Sequence, residues 1–292
     1  MRNDHLLLTR TPAPQPTESL FGYVQRLMDT NGYAQPNSVL YAAGFRERKL
    51  TSVEFDVERL AKITGHPVAD FENMILRREN PRHESAPRSK RQFVLRGHEI
   101  LKGSVRLGDP AHCPECASEQ GFHEVHFDLR LVTCCDRHGR RLLSACPSCH
   151  ERLAWYRPAL NKCVCGASLD SERDPAPQAE LEISRLLRQV TLRETVDDLS
   201  RAGLPLPALR SMSLRDLLQL LERLSHLEQA IRAETYRLPA GGHSLHLDEL
   251  GSRAAELAGV MLADWPLRFH QFLDGFGRKR IADGVRAMGY SR

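Results

Sequence analysis

The sequence predicts a mainly α-helical protein with a little β structure, arranged around a central cysteine-rich segment. Apolar residues recur at helical spacing before residue 77 and again after residue 178. All eight cysteines lie between Cys113 and Cys165. Hydrophobic residues make up 41% of the chain and charged residues 27%, which excludes a collagenous or fully disordered protein.

Changes in composition divide the chain into three predicted domains. Residues 1–106 are expected to form an N-terminal helical domain with a helix-turn-helix and a basic connector, and residues 107–170 to form two tandem zinc-ribbon or zinc-finger units. Residues 178–292 are expected to form a C-terminal helical domain. The segment 171–177 between them contains two prolines, which predict a non-helical linker.

The first helices are predicted from apolar spacing and from their termination signals. The apolar residues of the first helix share one face and are Leu20, Tyr23, Val24, Leu27 and Met28. Asn31-Gly32 is expected to end this helix with a left-handed residue. A second, short helix is predicted from Asn37 to Ala43, before Gly44.

Residues 57–76 have the pattern of a helix-turn-helix, with a turn at Gly65-His66-Pro67. Two interpretations remain open: a DNA-reading unit, or a small helical core with a protein-docking surface. The second helix begins with Asp70, Glu72 and Asn73 and has no basic residue before Arg77. DNA contacts require donors and positive charge at this end, so the pattern favours the second interpretation.

Four closely spaced pairs of cysteine and histidine predict two structural zinc sites. Paired cysteines at short spacing in a chain without a secretion signal indicate metal ligands rather than disulfides. Taken in order, the predicted ligands are Cys113, Cys116, Cys135 and His138 for the first site and Cys146, Cys149, Cys163 and Cys165 for the second. Gly166 is expected to permit the tight turn after the last pair. Between the pairs of the first site, apolar residues alternate with polar ones over residues 125–131, which predicts a β-strand.

The ligands of the first site are not fixed by spacing alone. Cys134 also lies within reach of His138. Four further histidines compete as ligands and are expected to be packing or solvated side chains; they are His112, His123, His126 and His150. With either cysteine, the protein fills all four coordination positions, so no metal-bound water remains to be activated.

No catalytic motif is recognised in the chain. The stretch from His123 to His126 is one residue short of a metalloprotease motif, and neither a P-loop nor a Gly-x-Ser-x-Gly motif is present. The sequence therefore predicts a protein that is not an enzyme and has no catalytic residues.

The C-terminal segment is predicted to be helical over Glu180–Leu199, Ser213–Ala233 and Asp248–Ala263. Ser213 and Asp216 form a possible capping box for the second of these helices. A further helix is expected to begin at Asp264-Trp-Pro266 and to bury the apolar residues Phe269, Phe272 and Leu273.

Positive charge is concentrated in the connector between the first two domains. The whole chain has a formal net charge of +4, whereas residues 77–106 contain nine basic and three acidic residues. Such a cluster favours nucleic-acid phosphates or a nucleoprotein, and the predicted contacts are Arg88, Lys90, Arg91 and Arg96. Further basic residues occur at Arg137, Arg140, Arg141 and 278–280.

The longest apolar stretches, such as Leu257–Ala263, are much shorter than a membrane span, and the first residues lack a signal-peptide core. We therefore expect a cytoplasmic protein with no membrane partner.

Several of these motifs together resemble the TniQ family, which includes the TniQ and TnsD target-selection proteins of transposons. The resemblance lies in the stretches Pro14–Leu20, Asn31–Tyr33, Val94–His98, Cys113-x-x-Cys116, Val132–Gly139, Leu142-Leu143, Cys146-Pro-x-Cys149, Cys163-x-Cys165-Gly166 and Asp264–Pro266. The family pattern assigns Cys135 rather than Cys134 to the first zinc site.

The resemblance implies a transposition adaptor. Such a protein would link a target-recognising element, either a DNA site or an RNA-guided CRISPR effector complex, to an AAA+ ATPase regulator. It would bind two structural zinc ions, and a homodimer is possible within the family. The alternative from a different class is a DNA-binding transcription regulator with a helix-turn-helix and zinc ribbons.

Overall fold

The computed structural model describes residues 8–33, 37–43, 56–78, 92–106, 108–195, 199–232 and 253–275, together with Gly277. Three of the predicted nucleic-acid contacts, Arg88, Lys90 and Arg91, lie outside these residues, as does the basic segment 278–280. Most of the described elements are helices, and the β structure is limited to two small antiparallel sheets. The predicted fold class, mainly α with small β, is confirmed.

Four helices form the N-terminal part: α1 (Leu20–Thr30), α2 (Asn37–Ala42), α3 (Val57–Thr64) and α4 (Val68–Glu72). The side chain of Ser19 caps α1 by accepting a hydrogen bond from the Gly22 N–H at 3.0 Å. The predicted apolar face of α1 is buried, and Gly32 has the left-handed conformation expected after the helix, with a φ of +70°.

The helix-turn-helix prediction is not confirmed in detail. Gly65 ends α3 in the left-handed conformation, with a φ of +74°. The following helix, α4, has only five residues, so it is shorter than two turns. Phe71 of α4 is fully buried and packs edge-on against Tyr23 of α1, with ring centroids 5.3 Å apart. The α3–α4 pair thus contributes to a small helical core.

A three-stranded antiparallel sheet follows, with strand order β1 (Arg77–Arg78), β2 (Gln92–Leu95) and β3 (His98–Leu101). Arg96 and Gly97 form the turn between β2 and β3 and both have positive φ, 52° and 78°. Phe93 of β2 pairs with Ile100 of β3, and both side chains are buried.

The predicted strand over residues 125–131 is wrong. Val125–Asp128 is a 3₁₀ helix, preceded by α5 (Pro114–Gln120). The alternation misled because the polar residues do not face water: His126 is 1% exposed and pairs with Glu124, with Nδ1 3.1 Å from Oε2. The second sheet is an antiparallel hairpin of two short strands with two residues each, β4 (Cys134–Cys135) and β5 (Arg140–Arg141).

The C-terminal part contains α6 (Gln178–Leu192), α7 (Leu206–Arg210), α8 (Leu214–Arg232) and α9 (Ala254–Leu262), followed by a helical segment over 267–275. The predicted helix 180–199 is too long, because Arg193 adopts a left-handed conformation and ends α6. Ser213 caps α8 as predicted, with the Asp216 N–H donating to Ser213 Oγ at 3.1 Å, and the Ser213 hydroxyl donates to the Asp216 carboxylate at 2.7 Å.

The last predicted helix packs inward only in part. Phe269 and Phe272 contact the main hydrophobic cluster as expected. Leu273 is 46% exposed, so its predicted burial is wrong.

The described residues form three hydrophobic clusters. The largest joins the β2–β3 hairpin, the first cysteine-rich unit and the C-terminal helices. A second cluster contains α1 to α4 together with Trp155, and the smallest surrounds Cys146 and Cys163. Within the described ranges, every helix is too short or too polar to cross a lipid bilayer.

Candidate metal centres

The first group of candidate ligands is built by α5 and the β4–β5 hairpin. Cys113 is the N-cap residue of α5, and Cys116 lies in the first turn of that helix. Cys135 is the last residue of β4, and His138 lies in the turn that leads to β5. The structure thus brings together the four residues that the sequence predicts for the first site.

The distances in this first group match those of a tetrahedral metal site. His138 Nδ1 lies 3.4 Å from the Sγ atom of Cys113, of Cys116 and of Cys135. Cys116 Sγ and Cys135 Sγ are 3.5 Å apart, which excludes a disulfide. Metal–ligand bonds of about 2.3 Å to sulfur and about 2.0 Å to nitrogen place neighbouring tetrahedral ligands roughly 3.5–3.8 Å apart. All four ligand atoms lie within 4.8 Å of one another, so the group can hold one metal ion.

The groups around Cys135 favour its thiolate form, which is the form that binds metal. The Gly139 N–H donates to the Cys135 carbonyl at 2.9 Å and closes the turn around the ligand pair. Hydrogen bonds from the Cys113 and Cys116 thiols lower the pKa of Cys135 to about 4, and the backbone N–H groups of His138 and Arg137 act in the same direction.

Glu119 supports the first group from outside and was missed by the sequence analysis. Its Oε2 lies 3.0 Å from His138 Nε2, on the opposite side of the imidazole ring from the three sulfurs. This contact holds the proton on Nε2 and leaves Nδ1 free to bind a metal ion. Glu119 lies three residues after Cys116 on α5, so helical periodicity near a ligand is the signal that could have found it.

The second group is held by turns instead of helices or strands. Cys146 Sγ and Cys165 Sγ are 3.9 Å apart, and Cys149 Sγ and Cys163 Sγ are 3.7 Å apart. Both distances match neighbouring thiolates around a tetrahedral ion, roughly 3.8 Å. The four sulfurs lie within 4.8 Å of one another, so this group can also hold a metal ion.

Left-handed residues close the turns of the second group. Gly166 has a φ of +87°, and its N–H donates to the Cys163 carbonyl at 2.9 Å, as the sequence predicts for this tight turn. His150 closes the other turn with a φ of 61°, and its N–H donates to the Cys146 carbonyl at 2.9 Å. The backbone N–H groups of Cys149 and Ser148 lower the pKa of Cys146 to about 7.

The competing residues lie elsewhere. Cys134 points away from the first group and donates to Ser184 Oγ of α6 at 3.1 Å. Of the four competing histidines, His112 bonds to Asn161, His123 to Asp128 and His126 to Glu124, and His150 is exposed. None of the four belongs to either group of candidate ligands among the described residues.

Several basic residues that the sequence analysis considered for nucleic acid instead bond within the protein. Arg96 Nη1 donates to the Pro16 carbonyl at 2.8 Å, and Arg106 donates to three backbone carbonyls around residues 127–130. Arg137 pairs with Glu124 at 2.9 Å, and Arg141 pairs with Glu256 at 2.7 Å. These arginines therefore also have partners within the protein.

A comparison with protein families gives a match for the part of the chain that contains the first ligand group. The TniQ family model matches residues 9–142, from the segment before α1 to the end of the first ligand group. Over these residues the chain is similar to TniQ proteins, and the match covers slightly less than half of the chain. The second ligand group and the C-terminal helices lie beyond the TniQ match. TniQ proteins are accessory proteins of DNA transposition and are associated with target selection. No curated protein matches the chain.

Proposed function

We propose that the chain is a non-catalytic adaptor in transposition target selection. It would connect a target-recognising element, a DNA site or an RNA-guided CRISPR effector complex, to an AAA+ transposition regulator. The observation that carries the proposal is the TniQ match, which includes the whole first ligand group. The described helices and the two ligand groups would serve as the rigid scaffold between these partners.

We propose further that both groups bind zinc in structural sites. Three thiolates with an imidazole and four thiolates are donor sets that suit Zn²⁺, and the ligand distances fit tetrahedral coordination. The chain itself supplies four ligands in each group, which leaves no open position for a water or substrate. Zinc would therefore stabilise the fold by holding the turns together.

Metal analysis of the purified full-length chain tests the zinc proposal. We expect two zinc ions per chain after purification without chelator, and loss of the middle of the structure when a strong chelator removes them. The Cys146→Ser variant should retain one ion, because the first group does not depend on that residue. One ion or none in the wild-type protein would overturn the proposal.

Co-purification with the neighbouring gene products tests the adaptor proposal. The expected result is an ATP-dependent complex between this chain and an AAA+ ATPase encoded beside a transposase gene. Deletion of the chain should abolish directed insertion in cells without changing the activity of the transposase. Directed insertion that continues without the chain would contradict an adaptor role.

The same experiment separates the adaptor from a transcription regulator. A regulator would bind its own promoter fragment with sequence preference and would need no ATPase. The short α4 helix and its exposed Asp70, Glu72 and Asn73 support the adaptor over this alternative.

A further inference from the structure

Arg157 is a buried cation without a buried anion beside it. Its side chain is 1% exposed and is among the largest fully buried side chains. Nε donates to the Leu160 carbonyl at 3.2 Å and Nη1 donates to the Ala154 carbonyl at 3.0 Å, while Nη2 has no hydrogen-bond partner. In the part of the chain that the structure describes, no carboxylate pairs with it. Burial of an uncompensated guanidinium is strongly unfavourable, so its position requires an explanation.

Residues of the second ligand group line the same cavity as Arg157. Arg157 lines a cavity of about 280 Å³ together with three of the four cysteines of that group, Cys149, Cys163 and Cys165. Four thiolates around one Zn²⁺ leave an excess of two negative charges.

The N-terminal helical cluster holds Arg157 in place. The guanidinium carbon lies 5.4 Å from the ring centroid of Trp155, and Trp155 packs against Phe21 of α1 at 5.7 Å. Gln25 of α1 donates to the Arg157 carbonyl at 2.8 Å. These contacts fix the position of the Arg157 guanidinium group, so the side chain does not have to become ordered when a metal ion binds.

We propose that Arg157 is the buried counter-charge of the second zinc site, where it strengthens zinc retention and lowers the reactivity of the thiolates. This inference rests on the proposal above that the four cysteines hold zinc. Arg157 is a positioning residue in this role, because it acts on the metal through the ligands.

Three variants of the full-length, zinc-loaded chain test this role. Arg157→Met removes the charge and keeps much of the volume, whereas Arg157→Lys keeps the charge. Arg152→Met is the matched control, because Arg152 lines the same cavity but its side chain is 78% exposed and bonds to Asp109. Zinc release is measured by competition with a chromogenic chelator at fixed pH and salt, and thiolate reactivity by the rate of alkylation with iodoacetamide.

We expect Arg157→Met to weaken the zinc affinity of one of the two sites by about 10- to 100-fold. Loss of a residue that interacts with metal ligands typically has an effect of this size. Alkylation should become faster in the same variant. Arg157→Lys should remain closer to the wild type than Arg157→Met, and Arg152→Met should match the wild type.

Several results would overturn the role of Arg157. Equal zinc release from Arg157→Met and Arg152→Met would show that the charge has no effect, and equal loss in Arg157→Met and Arg157→Lys would show a packing role. If Arg157→Met does not fold in excess zinc, Arg157→Lys must fold with two zinc ions, and its failure contradicts the proposal. Fewer than two zinc ions in the wild-type chain would instead contradict the proposed function.

Discussion

Two adjacent cysteines, Cys134 and Cys135, have opposite environments. The Cys135 sulfur lies 3.4 Å from His138 Nδ1 within the first ligand group, whereas Cys134 is fully buried against α6. Burial raises the pKa of the Cys134 thiol, and its sulfur donates to Ser184 Oγ instead of facing the first group. The choice that spacing left open is thus made by the direction of the two side chains in β4.

Substitution of each cysteine by serine should separate these roles. Cys135→Ser should lose one zinc ion and destabilise the central part of the chain severely, because metal binding is coupled to folding. Cys134→Ser should retain two zinc ions and lose about 1 kcal/mol, because a hydroxyl can still donate to Ser184. Zinc content and the thermal midpoint measure both effects. The reverse ranking would show that Cys134 is the ligand.

At the scale of single elements, α8 buries an acidic side chain beside its leucine stripe. Glu222 is 6% exposed, and burial raises its pKa to about 7, although Arg223 acts in the opposite direction. In the unfolded chain the carboxyl group has a pKa near 4.5. The folded protein therefore binds more protons between pH 4.5 and 7, and the stability that Glu222 contributes is lost as pH rises through about 7.

The Glu222→Gln variant should remove this pH dependence. Glutamine resembles the protonated carboxyl, so the variant should already be more stable than the wild type at pH 6 by about 2 kcal/mol, because the unfolded wild-type chain is ionised there. The difference should grow to about 3 kcal/mol by pH 8.5, where the folded wild type carries a buried charge. Thermal unfolding with zinc present, measured at several values of pH from 6 to 8.5, gives the comparison. Parallel profiles for the two proteins would rule out this effect.

The sequence predicted elements well where one face is apolar and the ends have clear signals. The α8 helix is an example, since its leucine stripe and the Ser213 cap define both its type and its start. The segment 125–131 shows the opposite case. Its polar residue His126 is buried and paired with the buried Glu124, and alternation cannot distinguish a paired polar side chain from a solvated one.

The metal ligands could be predicted from the sequence, whereas the residues that support them were missed. The ligand types and spacings predicted both groups of four, because metal geometry restricts which residues can converge. Glu119 was missed although its helical spacing from Cys116 is a usable signal. The position of Arg157 beside the second group could not be predicted, because it depends on contacts between separate segments. The C-terminal limit of α6 was also missed, since Arg193 adopts the left-handed conformation without the usual glycine.

At the scale of the whole molecule, an ion-pair network joins the first ligand unit to the C-terminal helices. Arg141 of β5 contacts Glu180 of α6 at 3.1 Å and Glu256 of α9 at 2.7 Å. Glu180 also accepts a hydrogen bond from Thr133. Together with the shared hydrophobic cluster, these contacts make the first metal unit part of the same packed body as α6, α8 and α9. A metal ion in this unit would therefore support the packing of the C-terminal helices as well as its own turns.

Internal hydrogen bonds and ion pairs engage Arg106 and Arg141. The predicted nucleic-acid contacts are Arg96, which also donates to the Pro16 carbonyl, and Arg88, Lys90 and Arg91 of the connector, which lie outside the described residues. Replacement of Arg88, Lys90 and Arg91 by alanine should weaken binding to DNA or to the effector complex. It should also flatten the dependence of affinity on salt, because fewer counterions are released on binding.

Arg152→Ala and Arg141→Ala are the controls for this experiment. Arg152 is 78% exposed and lies outside the connector, so its loss should leave both affinity and salt slope nearly unchanged. Arg141→Ala should lower the thermal midpoint, because Glu180 loses a partner while it remains buried. Binding measured by fluorescence anisotropy from 50 to 300 mM salt, a range chosen around physiological ionic strength, distinguishes these cases.

If the triple variant binds like the wild type while changes at Asp70, Glu72 and Asn73 alter sequence preference on naked DNA, the α3–α4 unit reads DNA directly. The regulator interpretation would then replace the adaptor.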